Sequence, residues 1–166
     1  MTEIKNEATI SNKEVTINRQ AIEHRAIWMG HTFEEAKEAG ADGEAFTRRA
    51  VSKTGCMHGK KFKEACSKPL KVNEFAEEFL PPLVRETFEM DVKTCTEDTL
   101  EIEFHYCPLV AGWLKAGIPL EDIPVLCDVA MDGDRSIAKT VGLEFTLGKT
   151  IAKGDPICEL YFSKEK

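Results

Sequence analysis

The run Glu103-Phe104-His105-Tyr106-Cys107-Pro108 gathers a thiol, an imidazole and a carboxylate within six residues. Leu100, Ile102, Phe104 and Tyr106 alternate with Glu101, Glu103, His105 and Cys107. That period of two predicts a half-buried strand with the second set on one face. Residues two apart on a strand have Cα atoms roughly 6.5–7 Å apart, so the spacing places His105 beside Cys107, with Glu103 next in the row. Pro108 stops the ladder and suits the first turn of a helix. A thiol at that seam gains a dipole that favours its thiolate and an imidazole that can hold or move a proton. The chemistry to expect is nucleophilic or general-base catalysis. The same residues also fit a packed thiol and a structural histidine, or, with a further cysteine, a metal site.

A second group follows in Cys127-Asp128-Val129-Ala130-Met131-Asp132-Gly133-Asp134-Arg135. Asp128 and Asp132 stand one turn apart on the polar face of a predicted helix, while Cys127 lies in its apolar stripe with Ile123, Leu126, Ala130 and Met131. Asp132-Gly133-Asp134 looks like the opening of a calcium loop. Leu143 and Phe145 stand twelfth from the two aspartates, where that loop needs a glutamate, so the loop is not completed. Helix capping is the competing role for these aspartates. Lys149 falls between Leu147 and Ile151 in a strand-like alternation, where an inward lysine must either snorkel or face a pocket.

Composition bounds these readings. The 166 residues are 42% hydrophobic and 31% charged, with net charge −7, which suits one globular domain over 1–166. There is no basic run, and the small positive cluster of Arg48-Arg49 with Lys60-Lys61 reads as a solvated face, so nucleic acid is not an expected partner. No apolar run approaches the ~20 residues of a membrane helix, and Met1 to Glu7 lacks a signal-peptide core. A cytoplasmic protein is expected, and the size and polarity permit a homo-oligomer. The six cysteines, Cys56, Cys66, Cys95, Cys107, Cys127 and Cys158, include no Cys-x-x-Cys pair. They read as thiols, with no zinc ribbon and no cofactor implied.

The elements that must position these groups form two parts. Residues 1–16 read as a polar leader, and 17–82 as helical. One helix is predicted from about 18 to 39, where Ile22, Ala26, Met29, Phe33 and Ala36 share a face and Gly40 stops it. His24, Trp28 and His31 form a second stripe, for which a helix buried on two sides is the favoured reading and a metal-binding or ligand-facing stripe the alternative. Asp42 caps a second helix that Gly55 ends. Short helices follow over about 60–67 and 72–79, the latter stopped by Pro81-Pro82. Residues 85–164 carry the strands. Phe88 to Cys95 and 99 to 106 make a hairpin, helices follow from 108 to 116, around 123 to 131 and from 135 to 141, and two closing strands include Cys158, Leu160 and Phe162 on a core face. The order helices, hairpin, helices, hairpin predicts an α+β fold: an antiparallel sheet of about four strands with a helical N-terminal half and helices packed on one face.

Three runs carry a family resemblance: His105 to Val110, Cys127 to Asp134, and Leu147 to Asp155 followed by Cys158. Together they resemble the L-2-amino-thiazoline-4-carboxylic acid hydrolase family. The specific part spans about 85 to 164; Arg25-Ala26 and the stretch from Ala50 to Gly55 are compatible with it. The last run is also similar, more weakly, to the end of 4-vinyl reductase-type small-molecule-binding domains. The resemblance implies a hydrolase that opens a cyclic amidine to a carbamoyl-cysteine. That reaction needs a nucleophile for the ring carbon between nitrogen and sulfur, a proton donor for the departing atom, and an anchor for the carboxylate.

Under that implication Cys107 is the nucleophile and His105, with Glu103, its base or orienting partner. Asp134 or Asp132 protonates the leaving nitrogen or grips the amidinium, with Asp128 on the same polar face. Arg135 or Lys149 binds the carboxylate. Direct attack by water, with His105 as base and Cys107 lining the pocket, is the alternative within the enzyme reading. Two other readings stand beside it: a small-molecule sensor or carrier, and a metal-dependent enzyme with His105 and Cys107 as ligands.

Overall fold

The computed structural model describes residues 3–165; the first two residues of the expected polar leader lie outside it. The first helix, α1 (Lys13–Glu38), starts earlier than its apolar stripe because the Asn12 side chain caps it, accepting from the Val15 N–H at 2.9 Å. Val15, Ala26, Phe33 and Ala36 are buried along it. The His24-Trp28-His31 stripe, expected to be buried, is exposed.

The second helix, α2 (Gly43–Ala65), begins at the predicted cap Asp42 but runs straight through Gly55 and Gly59 and absorbs the separate helix expected at 60–67. Those glycines are contact points rather than stops. A Cβ on Gly55 would collide with the Gly133 backbone, and one on Gly59 would sit 2.7 Å from Thr140 Cβ. Where a helix must approach another that closely, the missing side chain outweighs the lost helix propensity.

Next come α3 (Val72–Phe79) and α4 (Pro82–Phe88). Pro81 follows the C-cap Leu80 of α3 and bars its continuation, and Pro82 opens α4 at a first-turn position, where its missing N–H is harmless. Phe88, expected in the first strand, is the last residue of α4, and Glu89 turns the chain at φ 50°. The hairpin then forms from β1 (Met90–Cys95) and β2 (Thr99–Phe104), followed by α5 (Pro108–Ala116), α6 (Ile123–Ala130) and α7 (Asp132–Val141). Gly117 and Gly142 terminate α5 and α7 at positive φ, as their positions in the sequence suggested. The chain closes with β3 (Glu144–Leu147), a single 3-10 turn at Ile151–Lys153, and β4 (Cys158–Ser163).

The fold is α+β. Its antiparallel sheet has the order β1-β2-β4-β3. Leu100, Ile102 and Phe104 of β2 and Cys158, Leu160 and Phe162 of β4 are buried on one face. An aromatic cluster seats α3 there: Phe75 and Phe79 stack at 5.1 Å, and both pack against Phe162. Glu101, Glu103, Glu159 and Tyr161 project from the half-buried opposite face. No helix among the described residues is long and apolar enough to cross a membrane.

Candidate functional site

β2 ends at Phe104, and that decides where the thiol and the imidazole go. The His105 N–H donates to Glu89 O and the Tyr106 N–H to Phe88 O, both at 3.1 Å. The chain has left the ladder, so the alternation that paired His105 with Cys107 does not extend to them. Cys107 is 7% exposed within the core, beside the sheet's buried face. His105 is exposed, with Nε2 at 3.0 Å from Asp91 Oδ2 and 4.0 Å from Glu103 Oε2. The expected His105–Cys107 pair, whether as nucleophile and base or as metal ligands, is therefore not assembled.

Asp91, Glu103 and His105 instead form a group whose donor atoms lie within 4.8 Å of one another. Carboxylate oxygens and an imidazole nitrogen suit a divalent cation. Lys93 already brings positive charge there, 3.4 Å from Glu103.

Cys107 caps the N-terminus of α5 in an extended conformation. Burial pushes its thiol up; the first-turn N–H groups of Val110 and Leu109 and the charge of Arg25 work in the opposite direction. No capping hydrogen bond closes onto its sulfur. Cys127 and Cys158 share this interior, and ionising Cys107 would disfavour a thiolate at either. Burial pushes Cys158 up to about 12, and its Sγ accepts from the Ile151 N–H at 3.3 Å. Burial likewise holds Cys127 well above the usual thiol range.

Asp134 stands in the first turn of α7. Burial pushes its carboxyl up to about 7, against its own backbone N–H and the charges of Arg135 and Arg25. The residue as a whole is half-buried, so water retains access from one side. The charge of Arg25, an exposed residue of α1, works downward on both Cys107 and Asp134, as the smallest of the named influences at each. The local sign that marks this arginine is weak, since Arg49 also lacks a carboxylate one turn away and the sign is therefore not specific to Arg25. Its neighbours one turn away, Ala21, Ile22, Trp28 and Met29, include no carboxylate, whereas Arg48 has Glu44 and Arg135 has Asp132 within a turn. An arginine without a helical partner has its charge free for another use.

The remaining candidates are engaged elsewhere. Arg135 reaches Asp128 Oδ1 and Asp132 Oδ1, each at 2.6 Å. Arg48 binds the same two carboxylates at 2.6 and 3.2 Å, tying α2 to α6 and α7. Burial works upward on Asp128, but hydrogen bonds from Arg135 and Arg48 outweigh it and hold the carboxyl below its usual range. Arg135 is therefore already neutralised. Lys149 does not point inward. β3 stops at Leu147, and the exposed Lys149 Nζ lies 3.2 Å from Glu159 Oε1.

The family model for L-2-amino-thiazoline-4-carboxylic acid hydrolase matches residues 19–162. The chain belongs to this family. The match takes in the helical half as well as the three motif runs, so Arg25 and α2 fall within it. No curated protein matches the chain. Among solved structures, the crystal structure of a trafficking protein particle complex subunit 3 from Naegleria fowleri, covalently bound to palmitic acid, is similar with a TM-score of 0.56 and 15% sequence identity. The likeness covers 91% of this chain and 97% of that one. It shows a shared fold. Within this chain, Cys107 is buried in the core, whereas His105 lies exposed beside Asp91 and Glu103.

Proposed function

We propose that this member of the hydrolase family opens the ring of 2-amino-thiazoline-4-carboxylate or a close relative, with Cys107 as nucleophile, Asp134 as proton donor and Arg25 as carboxylate anchor. The observation that carries the reading is the position of Cys107 at the head of α5, under the charge of an Arg25 that also acts on Asp134.

In the resting protein the thiol is protonated, because burial dominates. A bound amidinium adds a second positive charge beside it and favours the thiolate. Sulfur then bonds to the ring carbon, Asp134 gives its proton to the ring nitrogen, and the carbon–nitrogen bond breaks. Water adds to the same carbon and returns a proton to Asp134. The bond to Cys107 breaks, the departing sulfur takes the proton of the new hydroxyl, and a carbamoyl-cysteine is released whose freed amine takes up the proton that the thiol first gave to solvent. The net change is addition of one water. A carboxyl with a pKa near 7 is matched to proton donation at neutral pH.

The test is intact mass of the protein mixed with 2-amino-thiazoline-4-carboxylate, with product analysis of the same tube. Carbamoyl-cysteine release and a transient adduct on Cys107 are expected, and both vanish in Cys107→Ser. Product formed at an undiminished rate by Cys107→Ser would remove the covalent route. One observation favours the second reading, a small-molecule carrier: burial raises all three interior thiols, Cys107, Cys127 and Cys158. Stoichiometric binding of an unaltered compound would select it.

A further inference from the structure

The helices α1 and α2 meet near their connection, where a Cβ on Gly43 would lie 2.9 Å from Ala36 Cβ. Farther along, α2 leans onto α7 instead, through Gly55 on Gly133 and Gly59 on Thr140. The divergence opens a groove of about 500 Å³ between α1 and α2. Its walls include Trp28, Met29, Phe46 and Ala50, with Arg25 and Thr47 among them. Trp28 is 72% exposed, a large apolar surface left in water. Arg19, Arg48 and Arg135 each hold a carboxylate; Arg25 holds none among the described residues.

We propose that this groove is a subsite for the apolar substituent of a carboxylate ligand, with an aryl or alkyl group lying on Trp28 and Phe46 and the carboxylate on Arg25. The proposal rests on the reading of Cys107, Arg25 and Asp134 as the reaction site. It extends the substrate class from a bare ring acid to ring acids that carry an apolar group. The volume falls in the roughly 300–1,000 Å³ range of pockets for drug-sized ligands, which a single five-membered ring does not fill. A planar guanidinium at the rim of an apolar wall recognises a carboxylate bidentately while the rest of the ligand leaves water.

The probe is 4-phenylbutyrate, compared with butyrate and with the neutral 4-phenylbutanamide, titrated into the full chain by calorimetry and by tryptophan emission. Trp113 is fully buried, so a change in emission that is lost in Trp28→Phe reports on the groove. Saturable binding of phenylbutyrate is expected, about tenfold or more weaker for each comparison compound and for Arg25→Gln. Absence of saturable binding, equal affinity for the amide, or an unchanged Arg25→Gln would overturn the proposal. Binding requires no turnover, so the two readings fail separately. Phenylbutyrate binding without hydrolysis of any cyclic amidine retains the groove and removes the hydrolase. Hydrolysis of 2-amino-thiazoline-4-carboxylate without phenylbutyrate binding does the reverse.

Discussion

The side-chain amide of Asn6 holds the backbone of Cys107 on both sides. Its Nδ2 donates to the Cys107 carbonyl and its Oδ1 accepts from the Cys107 N–H, each at 2.8 Å. An amide presents a donor and an acceptor side by side, as a neighbouring strand would. Asn6 thus supplies the partner that Cys107 lost when the chain left the sheet. Asn6→Ala removes both bonds. A loss of about 1–3 kcal/mol in urea denaturation is expected, since the pair is partly buried. Alkylation followed by mass spectrometry separates a local from a global effect: Cys107 should react faster in the variant, while Cys127 and Cys158 keep their wild-type rates. Equal acceleration at all three would mean general loosening.

The contact between α2 and α7 gives a second prediction. Gly55→Ala must displace the Gly133 backbone, which has no flexible end to yield. Destabilisation of about 1–3 kcal/mol is expected from overpacking, although alanine is the better helix former. The space around Gly142 is open, so Gly142→Ala meets only the unfavourable φ of 86°. Its expected loss is about 1 kcal/mol. Thermal melts of the two variants would rank them, and a Gly55→Ala protein as stable as wild type would contradict the close approach.

Those glycines also show which parts of the fold were legible in the sequence. Gly117 and Gly142 follow complete apolar faces, and each proved to be a terminator at positive φ. Gly55 and Gly59 look the same by local signs, but their role depends on α7, some eighty residues later, so no local window could distinguish packing from termination. The sheet was readable because its period of two is local: Leu100 to Phe104 and Cys158 to Phe162 face the core as expected. The site was less readable for the opposite reason. The position of Cys107 at a helix start is written in Pro108, whereas the side His105 takes is fixed by the carbonyl of Glu89, across the hairpin. Arg25 belongs to another helix altogether.

Two carboxyls should respond to pH with opposite signs. Asp134 has a folded pKa of about 7, above the unfolded value of ~3.9. Its charged form therefore opposes folding; the penalty is absent below the unfolded value, grows as pH rises through 7 and is constant above. Asp134→Asn is expected to be more stable than wild type at pH 8, by on the order of 2 kcal/mol because water reaches the group, with the difference vanishing near pH 4. Glu89 runs the other way. Burial works upward on its carboxyl, but hydrogen bonds from Thr9, Ile10 and Arg19 outweigh it and lower the pKa. Its contribution is present above the unfolded pKa and is lost as pH falls through the folded one. Glu89→Gln should flatten the acid limb of stability against pH, while Asp134→Asn flattens the neutral one.

The last prediction separates His105 from Cys107. Had both faced one side of a strand, removing the imidazole would have disabled the thiol. Here the His105 ring lies 3.0 Å from Asp91 on the outside of the hairpin, and Cys107 is in the core. If Cys107 is the nucleophile, Cys107→Ser should lower kcat by about a thousandfold or more. His105→Ala should leave kcat and KM within about threefold of wild type, with a small loss of hairpin stability from the broken pair, roughly 0–1 kcal/mol because the pair is exposed. Steady-state kinetics of both variants on one substrate, with denaturation curves alongside, makes the comparison. A His105→Ala protein as inactive as Cys107→Ser, yet equally well folded, would move the chemistry to the outer face with Asp91 and Glu103. The order of the two defects therefore decides which side of the sheet does the work.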